Sequence, residues 1–133
     1  MEMKASIFTL FLSTIVLLVA CKKIATPDEN SKLIFGEWRY ISNSGGFSGG
    51  GGSTKFNSNS WISFNEKGIY KAFDGTKKVE KHRFKIETSD DFLKYRINFN
   101  GINSLDYAYA INGDSLYLNE AVNDGFSFLF IRK

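Results

Sequence analysis

Three residue types are nearly missing from this chain of 133 residues, which has one cysteine, one proline and one histidine. A lone thiol cannot form an internal disulfide, so any fold must hold together by its core. A catalytic zinc wants three protein ligands, usually including more than one histidine, and His82 has no second His to join it. Without a G-x-S-x-G nucleophile elbow there is also no start for a Ser-His-Asp site. No cofactor, no metal and no catalysis are therefore expected. The chain also lacks any apolar run of the roughly 20 residues that a membrane-spanning helix requires. Its net charge of +3 is too small to argue for nucleic acid.

The N-terminus accounts for the cysteine. A basic start at Lys4 is followed by 16 uncharged residues from Ala5 to Ala20, weakened as a membrane span by Ser6, Thr9, Ser13 and Thr14. This is the pattern of a cleavable secretory signal. The residues Leu18-Val19-Ala20-Cys21 resemble the lipobox of bacterial lipoproteins. That resemblance implies cleavage between Ala20 and Cys21, a diacylglyceryl group on the Cys21 sulfur and further acylation, such as palmitate, on its new amino group. Two or more chains anchor stably where one does not. Lys22, which is not Asp, implies by the same resemblance the outer membrane. The expected organisation is a signal peptide (1–20), a lipidated tether with Pro27 (21–31) and one domain (32–133), with the bacterial cell envelope as location.

From Leu33 onward, strand follows strand. Candidates are 33–42, 60–65, 69–74, 79–88, 92–100, 105–111, 115–119 and 126–132, rich in Phe, Tyr, Ile and Trp and mostly alternating in polarity. "NEKG", "DGT", "SDD", "NG" and "NDG" between them are turn signals. The nearest thing to a helix is "NSKLIF", with Asn30 or Ser31 as its cap. Eight antiparallel strands in sequence leave two bare edges unless they close, so an all-β, eight-stranded up-and-down barrel is expected, with a two-sheet sandwich as the alternative.

The residues "LIFGEWRYI" place a helical turn before Gly36-Glu37-Trp38, which resembles the G-x-W signature of the lipocalins. The resemblance implies that Trp38 closes one end of the barrel and that Arg132, in "FLFIRK", lies across it. A guanidinium on an indole face contributes about 0.5–2 kcal/mol. The chain is shorter than the larger lipocalins and has neither their disulfides nor a helix after the barrel.

The remaining motifs divide into bland and functional readings. The glycines of "SGGFSGGGGST" (44–54) lack the Lys and the following helix of a phosphate loop. They read as a mobile connector or a gate, with Phe47 as the one apolar residue able to hold it down. Alternation puts His82 on a face with Glu80, Phe84 and Ile86. Tyr95, Ile97 and Phe99 share a second face, Leu105, Tyr107, Tyr109 and Ile111 a third, and Phe126, Phe128 and Phe130 a fourth. Lys81, Arg83 and Lys85, with Lys94 and Arg96 on the next strand, form a candidate basic patch for anionic headgroups or an acidic partner. The aspartates sit mostly at turns, where local backbone bonding explains them.

Two functions follow. The first is a non-catalytic binder of a small apolar or amphipathic ligand held by His82, Tyr95, Tyr107, Tyr109 and Phe47, anchored in the membrane through Cys21. The second is a protein-binding module, such as an envelope enzyme inhibitor, acting through the glycine-rich loop or the basic face. A cavity of at least about 300 Å³ would favour the first, and a filled core the second.

Overall fold

The computed structural model describes residues 28–46, 55–88, 94–100 and 106–133. Eight strands, β1 (Gly36–Gly45), β2 (Ser60–Phe64), β3 (Ile69–Asp74), β4 (Lys77–Thr88), β5 (Tyr95–Phe99), β6 (Tyr107–Asn112), β7 (Ser115–Glu120) and β8 (Phe126–Arg132), follow a 3₁₀ turn at Glu29–Ile34. Each strand pairs antiparallel with the next, and β8 pairs back with β1, so the sheet is a closed up-and-down barrel with no free edge. A sandwich is excluded by that last pairing.

The alternation of the sequence becomes the inside and outside of the barrel. Ile62 and Phe64 on β2, Tyr70 and Ala72 on β3, Ile97 on β5, Leu116 and Leu118 on β7, and Phe128 and Phe130 on β8 are all buried. Phe56 meets both Phe128 and Phe130 edge to face with ring centroids 5.2 Å apart, and Phe64 meets Phe84 in the same way. Such pairs contribute about 0.5–1.5 kcal/mol each beyond their buried area. Much of the interior is therefore filled by the protein itself.

The elements differ from the sequence expectations at their ends. β1 starts at Gly36, later than expected, because Leu33 and Ile34 belong to the 3₁₀ turn. It runs on to Gly45 because Asn43, Ser44 and Gly45 pair with Phe128, Ser127 and Phe126. Polar, glycine-bearing residues read as loop, but a long partner strand captures them. The cap of the 3₁₀ turn is Asp28, neither Asn30 nor Ser31. Its carboxylate accepts the Ser31 N–H at 2.8 Å, while the Ser31 hydroxyl donates to the Asp28 carbonyl at 2.7 Å. β4 begins two residues early, at Lys77, because Gly75, with φ 58°, makes the turn from β3 tight. Within it, Val79 is an extra residue opposite the step from Ala72 to Phe73. This bulge lets Lys78 pair with outward Phe73 while Glu80, opposite Ala72, turns inward.

Candidate functional site

The two ends of the barrel are built differently. At the end where β1 begins, Trp38 is fully buried and donates its indole N–H to the Ile34 carbonyl at 2.7 Å. The Arg132 guanidinium lies 4.2 Å from the indole centroid and donates to the carbonyls of Phe35 and Leu33 at 3.2 and 2.9 Å. Gly36, at φ 135°, passes directly beneath it, and a Cβ there would stand 2.8 Å from Arg132 Nη1. Gly36, Trp38 and Arg132 thus form one plug, in which the helical turn supplies the acceptors that the cation and the indole need.

Tyr95 and Tyr109 lie at this same end. Their rings stack at 5.3 Å; the Tyr95 hydroxyl reaches Asp28 at 2.9 Å, and that of Tyr109 donates to the Ser31 carbonyl at 3.0 Å. Lys94 adds an ion pair with Asp28 at 2.9 Å. These bonds, the one from Lys94 foremost, hold the Asp28 carboxyl below the usual aspartate range. Together with Asn30, Leu33 and Ile111 the two tyrosines border a cleft of about 330 Å³. Its phenols and its lysine are already engaged, which leaves little to orient a ligand.

The opposite end, where β1 finishes and β2 starts, holds a smaller cavity of about 120 Å³. Phe56, Ile97, Phe99 and Leu118 supply apolar walls, and Lys55, Tyr70, Glu80, His82 and Tyr107 supply the polar groups. Tyr70 and His82 are cross-strand partners whose rings lie nearly parallel, and Phe99 meets both edge-on. His82 Nε2 stands 3.7 Å from Glu80 Oε2, beyond hydrogen-bond length. Lys55 Nζ donates to the Tyr107 hydroxyl at 2.6 Å and lies 5.0 Å from that ring's centroid. Tyr107 in turn faces Glu120 Oε1 at 3.5 Å, and Glu120 Oε2 accepts the Phe126 N–H at 3.0 Å.

Tyr70 stands apart. It is only 4% exposed, it borders the cavity, and its hydroxyl makes no hydrogen bond to a described residue. The hydroxyl opens onto the cavity, so it is accessible there to water or to another polar group. Burial first, then the charges of Glu80 and Tyr107, push its phenol well above the ordinary value, so it stays a neutral donor.

The four described ligand candidates are therefore divided: His82 and Tyr107 face the small cavity, whereas Tyr95 and Tyr109 belong to the plugged end. Phe47, Ala20 and Cys21 lie outside the described residues. Tyr70 and Lys55 were not singled out from sequence. The alternation of "IYKAFD" does put Tyr70 and Ala72 on one face, but Lys55 follows the glycine-rich stretch and carries no pattern. Among the described residues no three His, Cys, Asp or Glu side chains gather as metal ligands.

The basic patch is also rearranged. Lys94 turns to Asp28, and Arg96 stands opposite Glu87. Lys81, Arg83 and Lys85 remain on the outer face of β4, and Lys71 of β3 joins them directly opposite Lys81. No known protein family, curated protein or solved structure matches the chain.

Proposed function

We propose that this is a lipid-anchored, lipocalin-like envelope protein that binds a small ligand in the cavity at the unplugged end and does not transform it. The observation that carries this reading is the convergence of Tyr70, His82 and Glu80, with no hydrogen bonds among them, on an aromatic-walled space. A volume of about 120 Å³ sets the scale. An apolar cavity of ~150 Å³ admits benzene, so this one takes a single ring or a short branched group. The guest is a small molecule, or the tip of a longer amphipathic one whose remainder lies at the mouth. The cavity falls short of the roughly 300 Å³ at which drug-sized pockets start, which speaks against a capacious carrier. The lipobox-like Leu18-Val19-Ala20-Cys21 supports the anchor.

A specific observation also favours a protein contact on the outer wall. Lys71 and Lys81 are direct cross-strand neighbours, and like charges so placed destabilise a sheet. With Arg83 and Lys85 they make a ribbon suited to an acidic partner.

Native mass spectrometry of the mature protein, released gently from its own membrane, tests the first reading. The expected result is acyl mass on the peptide that begins at Cys21, together with a non-covalent adduct lost on denaturation. An unmodified cysteine would overturn the anchor. A bare mass, with no ligand-induced NMR shift at Tyr70 or His82, would overturn the binding.

A further inference from the structure

Resting on that reading, the chemistry of the cavity also indicates the charge of its guest. We infer that the cavity is a cation site, built to take an alkylammonium group on a short stem, and that the ammonium of Lys55 stands in for this guest.

Phe56, Tyr70, His82, Phe99 and Tyr107 all border the space. Tyr70 and Phe99 meet at 5.0 Å and 66°, and Phe99 and Tyr107 at 5.9 Å and 86°, so the rings turn different faces and edges around one volume. Aromatic faces attract a cation through their quadrupole, and several of them around one site form the cage that recognises quaternary and methylated ammonium groups. At about 120 Å³ the space fits such a head and little more.

The sign of the field agrees. Glu80 borders the cavity, and Glu120 lies behind Tyr107. After burial, the nearby carboxylates are what raise the Tyr107 phenol, Glu120 first and then Glu80; Glu80 acts on Tyr70 as well. A carboxylate guest would meet the like charge of Glu80 at the cavity wall.

The protein itself already places a cation here. Lys55 Nζ lies 5.0 Å from the Tyr107 centroid and 5.7 Å from that of Phe56, and it bonds the Tyr107 hydroxyl. The cage is therefore occupied from the side by a tethered ammonium. A free alkylammonium competes with it for the cage, gains Tyr70, Phe99 and Glu80, and displaces the lysine ammonium.

The test titrates three ligands of nearly one shape into the full mature protein in maltoside micelles: choline, its neutral carbon isostere 3,3-dimethylbutan-1-ol, and 3,3-dimethylbutanoate. Binding is followed by calorimetry and by NMR shifts of Tyr70 and His82. Choline is expected to bind about tenfold more tightly than the alcohol, and the carboxylate most weakly. Lys55→Met should raise choline affinity several-fold by removing the competitor, and Glu80→Gln should lower it about tenfold. Equal or tighter binding of the alcohol or the carboxylate with shifts at Tyr70 would overturn the cation assignment while leaving a ligand cavity in place. Weaker choline binding in Lys55→Met would overturn the stand-in role. Failure of all three ligands to shift Tyr70 would overturn the cation site and remove the support for a ligand cavity together.

Discussion

The two ends of this barrel use the same residue types for opposite purposes. At the plugged end an arginine, a tryptophan and two tyrosines each find a protein acceptor: Leu33 and Phe35, Ile34, Asp28 and Ser31. At the other end Tyr70 finds none among the described residues, His82 meets only the Glu80 carboxylate at 3.7 Å, and Lys55 bonds the Tyr107 hydroxyl and leans on aromatic rings. The difference teaches that a tyrosine-rich interior is not in itself a binding site. What separates a site from a plug is whether the polar tips of its aromatics are already satisfied.

The largest way to break this contrast is Trp38→Ala. It removes a fully buried indole, the seat of Arg132 and the donor to Ile34 at once. A loss of about 3–5 kcal/mol is expected in urea unfolding, with Arg132 released. Removal of Phe99, half-buried against the cavity, should cost clearly less, because its site already borders empty space. Equal losses at the two positions would mean that the ends are packed alike. Gly36→Ala comes next. The new Cβ would be strained at φ 135° and would press on Arg132 Nη1, so a loss of about 1–3 kcal/mol is expected. The Arg132 guanidinium is held on Trp38 and by the Phe35 and Leu33 carbonyls, so the strained backbone and the crowded cation both contribute.

A smaller effect concerns the cap of the 3₁₀ turn. Asp28 is held below its ordinary value by the Lys94 and Ser31 hydrogen bonds, and Lys94 is raised, first by its bond to Asp28. The lowered carboxyl contributes stability above the ordinary aspartate value near 3.9 and loses it as pH falls through its own depressed value. The raised lysine contributes below about 10.4 and loses its contribution as pH climbs past that. The 3₁₀ turn should therefore be best protected between those limits. Hydrogen exchange at Ser31 and Phe35 against pH should trace that plateau, and in Asp28→Asn the profile should lie lower and flatter.

How much of this was legible beforehand follows from what a strand pattern encodes. Alternation fixed which side chains point inward, so β2, β3, β7 and β8 fall within a residue or so of their expected bounds. It placed His82, Tyr95, Tyr107 and Tyr109 inside without saying at which end. That depends on the stagger of neighbouring strands, which pairs His82 with Tyr70 but Tyr95 with Tyr109. The stagger is a property of the closed sheet and has no local signature. The same limit hid Asp28, which lies in the stretch read as tether yet caps the turn and bonds Lys94 and Tyr95, both far along the chain. The basic patch keeps Lys81, Arg83 and Lys85 but loses Lys94 for a related reason: Lys94 sits just before β5 and its side chain pairs with Asp28.

The smallest expected change in stability is also the sharpest test of the contrast. Tyr70→Phe deletes a hydroxyl that has no hydrogen-bond partner among the described residues and keeps the ring that packs against Phe64, His82 and Phe99. Its unfolding free energy should stay within about 0.5 kcal/mol of the parent, because no hydrogen bond to a described residue is lost. Tyr109→Phe makes the same chemical change at the plugged end, where the hydroxyl donates to the Ser31 carbonyl, and leaves that buried acceptor short of a partner. It should cost about 1–2 kcal/mol. High pH separates the two phenols further. Burial raises both, so each resists ionisation in the folded state, and the barrel should lose stability as pH rises above about 10, where unfolded tyrosine ionises. Either substitution should soften that decline, since each removes one phenol that folding holds neutral. A hydroxyl that costs little to lose in the empty protein and much to lose in the liganded one is what a binding group looks like in a stability measurement. Equal costs for the two variants without ligand would place Tyr70 in the structure of the barrel and leave the unplugged end with no group reserved for a guest.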